Sequence, residues 1–181
     1  MTPTGVMCYG SSMNTKIAVS FDSDGVLADF DKLASTIVGN SSRPTTSQEI
    51  EAWWKTLATR PSFFAELDHF PDMIAFVHSL KGKVDYIDVI TGKPRPSSFP
   101  SAEQDKRAWL GQHLGTDVPV IVCYAKDKHL YIRSEYDIHV LIDDRKSNID
   151  RWVKAGGTGI YHTSYEDTRA QLYKLLNIHQ S

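Results

Sequence analysis

Along the chain, short uninterrupted apolar runs alternate with stretches whose apolar residues recur every three or four positions. The runs fall at residues 17–21, 84–90, 118–123, 138–142 and, more weakly, 158–161. Their shortness and β-branched content predict buried strands, each ending at turn-forming or acidic residues. The periodic stretches predict helices over 29–38, 48–58, 72–80, 102–114, 147–155 and 165–176. For the fourth of these, Ser101 is the expected N-cap and Gly115 the expected stop. Strands alternating with helices of about ten residues predict an α/β fold, a three-layer Rossmann-like parallel sheet covered on both faces. In such sheets ligands bind beyond the carboxyl ends of the strands, where strand order reverses.

One stretch breaks the alternation. Between the first two strands lie a helical pattern, a polar loop (39–47), a second helical pattern with Trp53 and Trp54, and Pro61. This is too long for a simple crossover and too short for an independent domain, so residues 29–65 are expected to form a small helical cap. Residues 16–28 and 66–181 then form the core domain. Residues 1–15, rich in Thr, Ser, Gly and Met and without periodicity, are expected to be a flexible leader, with Met13 a candidate second start. Residues 91–101, with Pro94, Pro96 and Pro100, are expected to form a stiffened loop.

Composition narrows the function classes. The 181 residues carry 20 Lys and Arg against 22 Asp and Glu, a formal charge of −2, which argues against a long nucleic-acid partner. Hydrophobic residues make up 41% and charged residues 23%, as in a globular chain rather than a disordered one. No apolar run is long enough to span a bilayer, and no charged start precedes an apolar block, so a cytoplasmic protein is expected. Cys8 and Cys123 make no disulfide framework, and His69, His78, His113, His129, His139, His162 and His179 show no zinc-ligand spacing.

The chemistry concentrates where runs end. Asp22-Ser23-Asp24-Gly25-Val26 places two carboxylates two residues apart behind the first strand, with a glycine that permits a sharp turn. Taken alone, this is an ordinary Asx turn. A second acidic pair, Asp143-Asp144, ends another apolar run in the same way, which would gather four carboxylates on one sheet edge. Such a cluster calls for a cation, and an all-oxygen ligand set favours Mg2+.

Phe21-Asp22-Ser23-Asp24-Gly25-Val26-Leu27-Ala28-Asp29-Phe30 resembles the first motif of the haloacid dehalogenase-like (HAD) phosphohydrolases, most closely the 5'(3')-deoxyribonucleotidases. The likeness continues in Phe63-Phe64-Ala65-Glu66-Leu67, in Trp109-Leu110-Gly111-Gln112-His113-Leu114-Gly115 and in Leu141-Ile142-Asp143-Asp144-Arg145. The resemblance implies that Asp22 is the nucleophile forming an aspartyl-phosphate and that Asp24 is the acid/base. The dehalogenase branch lacks an Asp at the latter position. Thr91 matches the hydroxyl that holds a phosphoryl oxygen, followed here by Gly92 where the nucleotidases have Ser. The motif lysine is ambiguous between Lys126 and Lys128, and alignment of the Asp-Lys pair favours Lys128. Asp144 matches the direct Mg2+ ligand and Asp143 its supporting carboxylate; Asp22 and the Asp24 carbonyl complete the protein ligands.

In this family the cap reads the leaving group. Phe30, Trp53, Trp54, Phe63 and Phe64 are candidates to stack on a base, Phe30 and Trp54 foremost, although a small lobe needs such side chains merely to cohere. Lys93, Arg95, Arg145 and Lys32 are candidate anion contacts or solvated loop residues. The cap interior is shorter than in the animal nucleotidases and does not align. The leading expectation is a Mg2+-dependent phosphomonoesterase for (deoxy)nucleoside monophosphates, a small phosphorylated substrate. The alternatives are a phosphatase for another small phosphoester or a nucleic-acid 3'-phosphate, and a non-catalytic binding module. A homodimer through the cap is compatible with the sequence but not required by it.

Overall fold

A computed structural model of the chain describes residues 15–39, 43–94 and 99–177. Residues 1–14 of the expected leader, with Cys8 and Met13, lie outside the described residues, as do Arg95 and His179. Five parallel strands, β1 (Ile17–Phe21), β2 (Tyr86–Gly92), β3 (Val120–Cys123), β4 (Ile138–Asp143) and β5 (Thr158–Tyr161), form one sheet in the order β3-β2-β1-β4-β5. The chain therefore builds outward from β1 to β3, then crosses to the other side of β1 for β4 and β5. That reversal puts the carboxyl ends of β2, β1 and β4 side by side, with Phe21 in register with both Val89 and Ile142.

Side chains alternate across the sheet. Val19, Phe21, Val89, Val140 and Ile142 face the larger core, which holds buried residues of α3 (Pro71–Leu80), α4 (Ala102–Leu114) and α6 (Tyr165–Leu175). Ile90 and Leu141 face the other way, onto Ile149 and Trp152 of α5 (Lys146–Lys154). Ser20, Asp88 and His139 are also buried, and hydrogen bonds satisfy them. The Arg133 N–H donates to His139 Nδ1 at 2.9 Å, which leaves the ring proton on Nε2. Nε2 lies 2.8 Å from Ser20 Oγ, which in turn donates to Asp88 Oδ1 at 2.5 Å.

Between β1 and α3 the chain forms α1 (Phe30–Val38), α2 (Ser47–Leu57) and a 3-10 turn (Phe63–Ala65). Asp29 caps α1, whose end is closed by Gly39 in the left-handed region at φ 78°. Thr46 and Glu49 form a reciprocal capping box at the start of α2.

Three local expectations are corrected. Ser101 precedes α4 but does not cap it, because its hydroxyl donates to Asp105 Oδ2 at 2.7 Å instead. The third strand starts at Val120 rather than 118, since Pro119 has no N–H to give the ladder and only its carbonyl is used, by Val89 N–H at 2.9 Å. The second runs on through Thr91 and Gly92, which pair in register with Val122 and Cys123.

Candidate active site

Immediately after β1 the Asp22 N–H donates to the Ile142 carbonyl at 2.8 Å, so the residue is fixed by the neighbouring strand. The chain then folds back: the amides of Leu27 and Ala28 donate to the Ser23 carbonyl at 2.8 and 2.9 Å, and Gly25 adopts φ 81°. This tight loop directs the Asp22 and Asp24 side chains into one cleft with Gly92, Lys93, Trp54, Phe64, Arg145 and Asn148. The cleft encloses about 60 Å3. Trp54, Lys93 and Pro94 are shared with a larger groove of about 960 Å3 that runs under α2 to Tyr124.

Lys128 sits on a 3-10 segment, Ala125–Tyr131, and is buried while Lys126 is exposed. Its Nζ lies 2.8 Å from Asp22 Oδ1 and 2.7 Å from Asp143 Oδ2. Burial alone would lower the Lys128 pKa, but the two carboxylates outweigh it and raise it, so the ammonium form holds. Asp22 Oδ1 also accepts the Ser23 N–H at 2.7 Å, which fixes the rotation of that carboxylate.

Asp143 is fully buried at the end of β4. It accepts from Lys128, from the Arg145 N–H at 2.8 Å, and from Asn148 Nδ2 at 3.1 and 2.9 Å. Asp144, beside it, has a different environment. Its Oδ1 is buried with no hydrogen-bond partner, and its nearest cation is Arg43, 3.9 Å from Oδ2. Burial first, then the charges of Asp22 and Asp143, push the Asp144 pKa up to about 7. Carboxylate oxygens of Asp22, Asp143 and Asp144 lie within 4.8 Å of one another. An orphaned buried oxygen facing two more carboxylates fits a hard divalent cation, with Asp22 and Asp144 as the ligands left open once Lys128 and Asn148 have engaged Asp143.

Thr91, near the end of β2, is buried with its hydroxyl 3.3 Å from Lys106 Nζ. Lys106 Nζ also donates to both oxygens of Asp24 at 2.6 Å. Neither Lys106 nor Asn148 was expected in the site from sequence motifs. Lys106 does carry a signal: it shares the buried face of α4 with Ala102, Trp109, Leu110 and Leu114. Asn148 carries none.

The cap residues divide. Trp54 and Phe64 reach the cleft wall. Phe30 does not: it is only 2% exposed, ringed by Trp53, Trp54, Phe63 and Phe64 at centroid distances of 5.1–6.4 Å, with the Arg43 guanidinium over it. It packs the aromatic cluster of the segment between β1 and α3. Lys93 lines the cleft but is ion-paired to Glu103 at 2.8 Å. Lys32 pairs with Asp68 on the exposed surface and is not among the cleft residues.

Solved structures share this architecture. A hydrolase from Streptococcus pneumoniae TIGR4 aligns over 92% of this chain and 100% of its own, with 12% identity and a TM-score of 0.51. A HAD hydrolase, family IA, variant 3, from Entamoeba histolytica aligns over 87% and 88%, with 17% identity and a TM-score of 0.51. L-2-haloacid dehalogenase from Xanthobacter autotrophicus aligns over 89% and 86%, with 14% identity and a TM-score of 0.50. At such identities the likeness establishes the fold, that of the HAD-like hydrolases. The sequence profile of the family described as 5' nucleotidase, deoxy (pyrimidine), cytosolic type C matches residues 15–171, and the chain belongs to that family. It is a HAD-family phosphohydrolase. No curated protein sequence matches the chain. No helix among the described residues is long and apolar enough to cross a membrane.

Proposed function

We propose that the protein is a Mg2+-dependent phosphomonoesterase that dephosphorylates nucleoside monophosphates through an aspartyl-phosphate on Asp22. The observation that carries this reading is the buried Lys128 ammonium clamped between Asp22 and Asp143, beside an Asp144 oxygen without a partner. Lys128 sets its ammonium 2.8 Å from Asp22 Oδ1 and offers positive charge to an incoming phosphate in a site shielded from water. When bound between Asp22, the Asp24 carbonyl and Asp144, the cation would neutralise the charge of the equatorial phosphoryl oxygens.

In the first step an Asp22 oxygen bonds to phosphorus while the bond to the ester oxygen breaks, and Asp24 gives that oxygen its proton. In the second, Asp24 takes a proton from water, the water oxygen bonds to phosphorus, and the Asp22 carboxylate leaves with its electron pair. Thr91 Oγ1 and the Gly92 amide would hold the phosphoryl oxygens. Asp24 also separates this reading from dehalogenase chemistry, which needs no acid for a halide. The cap, residues 29–65, and Lys93 and Trp54 at the mouth of the groove would face the leaving group. The family's description as a cytosolic type supports a cytoplasmic location, and the formal charge of −2 supports a small ester over a long polymer.

A second reading, another small phosphoester, is favoured by one observation: Phe30 is spent on the cap interior, which leaves Trp54 as the half-buried aromatic at the cleft. A phosphate-release screen over 5'- and 3'-nucleoside monophosphates, ribo and deoxy, beside sugar phosphates, with Mg2+ and with EDTA, decides between them. Nucleotides turned over at least about tenfold better in kcat/KM support the first reading. Sugar phosphates matching them support the second, and no metal-dependent release from any ester refutes both.

A further inference from the structure

Lys106 is 1% exposed, one of two buried ammonium groups among the described residues, and motif chemistry does not account for it. It projects from the second position of α4's buried stripe, crosses the Phe64 ring at 4.4 Å from the centroid, and ends between Asp24 and Thr91. Both Asp24 oxygens are 2.6 Å from its Nζ. Asp24 itself is 18% exposed at the side chain and could be solvated without help. Burying an ammonium to hold a carboxylate that water can reach is unfavourable unless the position of that carboxylate matters.

We propose that Lys106 is a positioning residue that holds the Asp24 carboxyl group at the leaving-group oxygen and ties it to Thr91, so that acid and phosphate-holding hydroxyl keep a fixed relation. The proposal rests on the phosphatase reading above. In this role Lys106 acts through Asp24, to which its Nζ donates, rather than on the substrate itself. Its loss should therefore matter most where protonation of the leaving oxygen is hardest. The alkoxide of a nucleoside needs that proton to depart, whereas 4-nitrophenolate leaves largely without it.

The test compares kcat/KM, which reports events up to departure of the leaving group, for a nucleoside 5'-monophosphate and for 4-nitrophenyl phosphate. In the full chain, Lys106→Met is expected to lower the first by about 100-fold and the second by less than about fivefold. Inhibition by inorganic phosphate should stay within about twofold of wild type, because Lys106 does not bind the phosphate. In an Asp24→Asn background, adding Lys106→Met should change little, since both act through one group. Equal losses on both esters, weakened phosphate inhibition or multiplicative effects with Asp24→Asn would each overturn the role. Should Lys106→Met fail to fold by circular dichroism, the same comparison is read on Lys106→Gln, which keeps a donor. A wild-type protein that hydrolyses neither ester refutes the phosphatase reading itself, an outcome distinct from an active wild type with unselective variants.

Discussion

Gly25 stands where any side chain would overlap the Asp144 carboxylate: a Cβ built on it collides with Oδ2 and Cγ of Asp144. Its φ of 81° is in addition a left-handed conformation that other residues adopt at a cost. The loop after β1 and the end of β4 are thus packed against each other through a missing methyl group. Gly25→Ala should lose about 1–3 kcal/mol of stability and, by displacing Asp144, weaken Mg2+ binding and turnover at least tenfold. Thermal melts and a Mg2+ titration of phosphate release check both. Unchanged Mg2+ dependence would mean that Asp144 tolerates displacement.

Asp144 carries the opposite liability. With its pKa raised to about 7 by burial and by Asp22 and Asp143, the folded metal-free protein binds a proton there that the unfolded chain, titrating near 4, has released. Its ionisation therefore costs stability as pH rises from about 4 to about 7, by up to roughly 4 kcal/mol. Asp144→Asn should raise the melting temperature of EDTA-treated protein at pH 8 and abolish the increase that Mg2+ gives the wild type. Equal stabilisation of both proteins by Mg2+ would remove Asp144 from the ligand set.

His139 works in the other direction. Burial, then the nearby Arg133 charge, lowers its pKa to about 4, against about 6.5 in the unfolded chain. Between those values the unfolded state binds more protons than the folded one, so this group's contribution is complete above pH 6.5 and is lost as pH falls toward 4. The loss amounts to about 3 kcal/mol, opposite in sign to that of Asp144, so the two offset each other in the wild-type profile. The stability difference between wild type and His139→Gln, from denaturant melts at pH 7.5 and pH 4.5, isolates it. The wild type's advantage should shrink at the lower pH; a constant difference would show that His139 titrates alike folded and unfolded.

Much of this was legible in the residue order. Strands at Ile17–Phe21 and Thr158–Tyr161 and the helix Ala102–Leu114 fall where periodicity puts them, because buried parallel strands are short apolar runs and their ends carry the turn chemistry. Asp22, Asp24 and Asp143-Asp144 stood out for the same reason. Phe30 misled, since an aromatic residue in a small lobe has the same pattern whether it stacks on a ligand or on Phe63. Lys106 escaped because a lysine in a charged helix reads as solvated until its face is counted, and the partner that makes its burial tolerable, Asp24, is 82 residues away.

The two lysines of the 125–131 segment, between which the sequence favours Lys128, differ in their surroundings. Lys128 neutralises two carboxylates, one of them fully buried, while Lys126 is exposed to solvent. Removing the Lys128 ammonium leaves Asp22 and Asp143 facing each other unscreened, and truncating one member of a buried ion cluster typically costs about 3–5 kcal/mol. Lys128→Met should therefore be strongly destabilised and inactive, with bound Mg2+ recovering part of the stability by taking over some of the lost charge. Lys126→Met should stay within about 0.5 kcal/mol of wild type, as exposed substitutions do. Urea melts of both variants, with Mg2+ and with EDTA, measure this directly. A Lys128→Met protein as stable as Lys126→Met in EDTA would mean that the Lys128 ammonium does not hold Asp22 and Asp143 together, and the clamp that supports the nucleophile assignment would fall with it.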